Sequence, residues 1–127
     1  MKPNVGVGLF VEDVGKMVAF YRDVLLFETD YSEGPFASFQ TSNGVFFMFD
    51  RKQFARDIGE AYSAPRGINQ TMEIGIKVSS TDEIDREYKR LMALGVRCVT
   101  GEPVTQPWGQ RNFFIADPEG NLIEYGD

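Results

Sequence analysis

Apolar and polar positions alternate from residue 5 to residue 11. Val5, Val7, Leu9 and Val11 fall on one face and Gly6, Gly8 and Phe10 on the other, the period-two pattern of a strand. Asp13 then stands where a helix cap belongs. Met17, Phe20, Tyr21, Val24 and Leu25 follow at the spacing of one amphipathic helix face. Three short strand-like stretches come next, at residues 28–32, 36–41 and 45–50, the last two joined by the hairpin dipeptide Asn43-Gly44. Residues 51–59 read as a short helix with Phe54 and Ile58 turned inward, and residues 63–70 as a Pro/Gly/polar linker.

The pattern then starts again. Residues 72–78 alternate as a strand, and Ser80-Thr81-Asp82-Glu83 reads as a capping box. Ile84, Tyr88, Leu91 and Met92 make the apolar helix stripe, with Gly95 as the stop. Strands are expected at 96–100, 112–116 and 121–125, the last two joined by the turn Asp117-Pro118-Glu119-Gly120-Asn121. Val5 and Met72 set an offset of 67 residues at which Gly8 matches Gly75, Val11 matches Val78 and Tyr21 matches Tyr88. Each half reads β-α-β-β-β. The expected class is α+β, two tandem βαβββ modules in one domain over 1–127: module 1 at about 4–50, a linker at about 51–70 and module 2 at about 71–127.

Composition narrows the function classes. Of 127 residues, 43% are hydrophobic, with eleven Phe and five Tyr, enough for a core. A net charge of −6 argues against nucleic acid and against an anionic membrane as partners, since both call for a positive surface, and it favours a cationic small molecule. The single cysteine, Cys98, forms no internal disulfide, fits a reducing, cytoplasmic setting and reads as a small core residue. Neither a charged start with an apolar run nor an apolar stretch of about 18 residues occurs, so a secretory leader and a membrane span are not expected. With no histidine in the chain, Ser-His-Asp and Cys-His catalysis are excluded. Gly6-Val7-Gly8 lies inside a strand and opens no helix, so it is not a dinucleotide fingerprint.

Three runs carry a resemblance over nearly the whole chain: Val11-Glu12-Asp13 leading to Phe20-Tyr21 and Leu25; Pro107-Trp108-Gly109-Gln110-Arg111-Asn112-Phe113; and Asp117-Pro118-Glu119-Gly120-Asn121-Leu122-Ile123-Glu124. Together they resemble the vicinal oxygen chelate superfamily of glyoxalases, bleomycin-resistance proteins and dioxygenases, and most of all its bleomycin-resistance branch. The resemblance implies curved sheets closing around a cleft, and a homodimer. In metal-using members the ligands come from the first and fourth strands of each module. Carried over, those positions fall on Gly6 and Met48 in module 1 and on Glu73 and Glu124 in module 2. Strand parity is read as placing Gly6, Gly8 and Phe10 on one face, Phe46 with Met48, Glu73 with Gly75 and Lys77, and Leu122 with Glu124, the aliphatic faces lying under helices.

Gly6 has no donor atom and Met48 only a thioether, a soft ligand, so no metal cofactor is expected. The competing reading is a divalent ion on Glu73 and Glu124, completed by Gln40, Asp50, a partner chain or the substrate. Without a metal, Glu73 and Glu124 are the candidate acid–base pair, each raising the other's pKa; the plainer alternatives are a solvated Glu73 and a Glu124 paired with Arg111 or Lys77. Trp108 is read as a rim residue that stacks on a planar or cationic ligand, and Arg111 as a clamp for an anionic group or a counter-charge to the last hairpin. Phe10, Phe46, Met48 and Leu122 would form the apolar wall. Two functions follow. The first is a metal-independent small-molecule binding protein that sequesters an aromatic or cationic ligand. The second is a lyase, isomerase or dioxygenase with an incomplete metal site.

Overall fold

The computed structural model describes residue 2 and residues 5–62 and 66–127. Contacts divide the chain into two units, one ending at residue 65 and one starting at residue 66. The expected start of module 1 at residue 4 and linker residues 63–65 lie outside the described residues.

The first unit runs β1 (Gly6–Val11), α1 (Val14–Ala19), a π-helical turn (Phe20–Val24), β2 (Phe36–Phe39), β3 (Val45–Asp50) and α2 (Arg51–Ile58). Asp13 caps α1, its Oδ1 accepting from Lys16 N at 3.0 Å. β3 is central, parallel to β1 and antiparallel to β2. The strand expected at 28–32 does not form; that segment runs irregularly beside β2, joined to it by Gln40 N donating to Glu28 O (2.8 Å) and the Thr29 hydroxyl donating to Ser38 O (2.6 Å). The core lies between the sheet and α1: Tyr21 meets Phe46 and Phe39 at centroid distances of 5.4 and 5.8 Å, and Met17, Tyr21 and Met48 are fully buried. Helix α2 forms where expected, capped by Asp50 through Gln53 N (2.8 Å). Ile58, expected inward, is instead 53% exposed, because the helix ends there and Gly59 turns the chain at φ 74°.

The second unit runs β4 (Asn69–Lys77), α3 (Thr81–Ala93), β5 (Arg97–Cys98), β6 (Val104–Thr105), β7 (Arg111–Ala116) and β8 (Asn121–Gly126). The sheet order is β4-β8-β7-β5, with β6 also on β7; β4 and β8 are parallel, β7 and β8 antiparallel. β4 reaches back into what reads as linker, and β6 has no counterpart in the expected pattern. Ser80 caps α3 by accepting from Glu83 N (3.3 Å), while Glu83 reaches one residue further back than a capping box requires, to the N and Oγ of Ser79 (3.0 and 2.8 Å). Asp117 ties the β7–β8 turn by accepting from the backbone N of Glu119 and Asn121, both at 2.9 Å. Under α3 lie Ile115, Ile123, Phe113 and Tyr125, the last two rings stacked 5.1 Å apart and Tyr88 set edge-on to Phe113. Cys98 is half-buried, its thiol donating to Gly101 O at 3.2 Å. No described helix is long and apolar enough to cross a membrane.

Candidate functional site

Residues paired across a sheet share a face. In the second unit Glu73 pairs with Leu122, Gly75 with Glu124 and Glu124 with Phe114, while Gly126 pairs with Asn112. Tyr125 and Phe113, one residue out of step, are the pair beneath α3. Glu73, Leu122, Glu124, Phe114 and Asn112 therefore lie together on the face away from the helix, as alternation in the sequence indicates for Glu73, Leu122 and Glu124. Asn112 is only 5% exposed. Its Nδ2 donates to Glu124 Oε2 (2.9 Å) and its Oδ1 accepts from Gln106 Nε2 (3.0 Å). These hydrogen bonds fix the amide's orientation. Among the described residues no hydrogen bond reaches Glu124 Oε1, and no ion pair joins Glu124 to Arg111 or Lys77. Glu73 has its carboxyl pushed up from the ordinary value, first by desolvation against the sheet and then by the charge of Glu124.

Trp108 tips the turn between β6 and β7 and is 70% exposed. The turn closes through Gln106 N donating to Gln110 O (2.7 Å) and Gly109 N donating to Gln106 O (2.9 Å), with Gly109 at φ 96°. The indole N–H donates to Gln110 Oε1 at 3.1 Å. Arg111 points to the opposite face: it binds Asp85 of α3 (2.9 Å) and the Thr105 hydroxyl (3.1 Å). The reading of Arg111 as a clamp for an anionic ligand is therefore corrected, because strand parity turns it under the helix, where Asp85 engages its guanidinium.

In the first unit the register corrects a further expectation. Leu9 pairs with Met48 and Val7 with Phe46, whereas Gly8 pairs with Phe47 and Phe10 with Phe49. Phe46 (6% exposed) and Met48 (0%) lie in the core under α1, not on the wall with Phe10. The away face is lined by Phe10, Phe36, Phe47 and Phe49. The Phe47 ring lies across Gly8, where a Cβ would collide with it, and stacks on Phe36 at 5.7 Å. Phe54 of α2 stacks on Phe10 at 3.9 Å. Gly75, opposite Glu124, matches Gly8, so the first-unit counterpart of Glu124 is Phe47.

The first-unit positions Gly6 and Phe47 carry no metal-binding atom, and Asp50 caps α2. Among the described residues no three His, Cys, Asp or Glu gather as a metal ion requires. Two carboxylates, one already accepting from an amide, do not make up the three protein ligands of a catalytic zinc site. The residues that sequence reading missed are Asn112, Gln106 and Gln110, and Phe36, Phe47 and Phe49. An Asn directly before the apolar run Phe113-Phe114-Ile115, within the same strand, was the available signal for the first of these.

Residues 5–125 match the family model of the Glyoxalase/Bleomycin resistance protein/Dioxygenase superfamily. The bleomycin resistance protein of Geobacillus stearothermophilus is 26% identical over 120 residues, covering 91% of this chain and 89% of that one. A crystal structure of a glyoxalase/bleomycin resistance protein/dioxygenase from Nocardioides superposes with a TM-score of 0.82 at 25% identity, covering 99% and 83% of the two chains. A glyoxalase-related enzyme from Fulvimarina pelagi has the same fold, with a TM-score of 0.82 at 19% identity over 99% and 88%.

Proposed function

The chain belongs to the glyoxalase/bleomycin resistance protein/dioxygenase superfamily, and from that premise we propose that it is a metal-independent small-molecule binding protein that sequesters a cationic ligand with a planar aromatic part. The observation that carries this reading is the acidic face of the second unit. There Glu73 and Glu124 stand among Leu122 and Phe114, Glu124 is oriented by the buried Asn112, and an exposed indole belongs to the same unit. Two carboxylates on a partly desolvated face attract a cation, whether or not it carries an N–H, and an indole adds cation–π attraction that strengthens with desolvation. The aromatic face of the first unit, Phe36 and Phe47 above all, is a surface for planar apolar groups. The similarity to a bleomycin resistance protein makes bleomycin one ligand to try.

Trp108 is the only tryptophan and reports binding directly. Titration with benzyltrimethylammonium, with its uncharged isostere neopentylbenzene and with metal-free bleomycin should quench Trp108 emission for the two cations, with at least about tenfold weaker response to the isostere. Equal response to the neutral compound, or silence across all three, counts against the reading. Glu73 adds a pH signature: its raised pKa means it takes up a proton above the ordinary carboxylate range, so cation affinity should fall as pH drops through that raised value.

One observation supports an enzymatic reading as well. Glu73 is a carboxyl with a raised pKa facing a second carboxylate, an arrangement suited to proton transfer. Turnover that is lost in Glu73→Gln while binding persists would favour it.

A further inference from the structure

The turn that carries Trp108 is fastened to the acidic face at both of its ends. At one end Gln106 donates to Asn112, the residue that orients Glu124. At the other, Gln110 accepts the indole N–H and lays its amide over Gly126 on β8. Gly126 is buried and its φ is not left-handed, so its glycine identity answers to space and not to backbone conformation. A Cβ there would stand 2.5 Å from Gln110 Nε2 and 3.8 Å from the carboxyl carbon of Glu124. The Gln110 amide and the Glu124 carboxylate thus flank the same bare stretch of strand. An exposed indole with no such tether would sample several rotamers, and each would have to be given up on binding.

We propose that Gln110 is a positioning residue: seated on Gly126 next to the Glu124 carboxylate, it holds the indole of Trp108 in one orientation, so that aromatic and acid present themselves together to a ligand that is both planar and cationic. Gln110 acts through Trp108. The proposal rests on the binding function above for its purpose, but its first readout needs no ligand.

The experiment compares wild type with Gln110→Met, Gln110→Glu and Gly126→Ala. Met keeps the volume and loses the acceptor; Glu keeps the acceptor; the alanine evicts the amide from its seat. In the unliganded protein Gln110→Met and Gly126→Ala should lower Trp108 fluorescence anisotropy and raise its acrylamide quenching constant about twofold, while Gln110→Glu, compared with wild type at acid pH where the introduced carboxyl beside Glu124 is protonated and keeps its carbonyl acceptor, stays near wild type. Gln110→Met should melt with the wild type, and its benzyltrimethylammonium affinity should fall about three- to tenfold. Anisotropy and quenching unchanged in Gln110→Met overturn the proposal, as does a Gln110→Glu that behaves like Gln110→Met. If the wild type itself ignores benzyltrimethylammonium, the binding function fails while the anisotropy comparison still decides whether Gln110 holds the indole.

Discussion

Met48→Ala is expected to lower the unfolding free energy by about 2–5 kcal/mol, measured by urea denaturation, and to leave ligand binding intact at temperatures where the variant is folded. Met48 is 0% exposed and lies under α1 beside Phe46, on the sheet face opposite Phe10. Truncation deletes buried thioether and methylene contacts in a close-packed layer and leaves a cavity between the cross-strand neighbours Leu9 and Ala37. Phe47→Ala supplies the contrast. Its ring lies over Gly8 on the away face, so its loss should cost less stability and should instead weaken binding of planar aromatic probes. If Met48→Ala were nearly neutral in stability and abolished binding, Met48 would line the ligand surface and the strand register described here would be wrong.

Asn112→Asp carries the second large effect. It places a carboxyl in a site 5% exposed, beside Glu124 Oε2, where the native amide donates a hydrogen bond. At neutral pH the variant trades a donor for a like charge, so a loss of about 3 kcal/mol is expected, with Asn112→Leu losing about 1–3 kcal/mol through the orphaned Gln106 and Glu124 groups. The two are told apart by pH. Burial and the Glu124 charge raise the introduced carboxyl's pKa in the folded state above its unfolded value, so the folded protein holds the extra proton. Stability relative to wild type is therefore recovered at acid pH and lost as pH rises from the ordinary carboxylate range through the raised value. Asn112→Leu lacks this slope. Urea midpoints across pH 4–8 check both; an Asn112→Asp variant as stable as wild type at neutral pH would mean that Asn112 does not bind Glu124.

The repeat was legible because it rests on alternation, caps and turn residues, which act locally. The strand at 5–11, the Asp13 cap, the Gly95 stop and the Asp117 turn are each specified by a few neighbouring residues. The second-unit acidic face was legible for a related reason: Glu73 and Glu124 alternate with Ile74, Ile76, Ile123 and Tyr125, and an interrupting carboxylate reveals which parity faces water. β3 offers no such mark. Val45-Phe46-Phe47-Met48-Phe49 is apolar on both faces, so alternation has nothing to read, and a one-residue slip exchanges core for surface. Pairing with Gly8, which leaves room for the Phe47 ring, settles the parity, and that is a long-range fact. Arg111 was misplaced because its partner, Asp85, is distant in sequence. Asn112 and Gln110 were passed over because amides signal no chemistry until their partners are known.

Isothermal titration of benzyltrimethylammonium into wild type and into Glu73→Gln/Glu124→Gln, each with and without EDTA, separates binding by carboxylates from binding through a metal. Wild-type binding should be unchanged by EDTA, and affinity should fall at least about tenfold in the double variant. Wild-type binding that EDTA abolishes and manganese or zinc restores, or binding that survives removal of both carboxylates, would contradict metal-independent binding by the carboxylates.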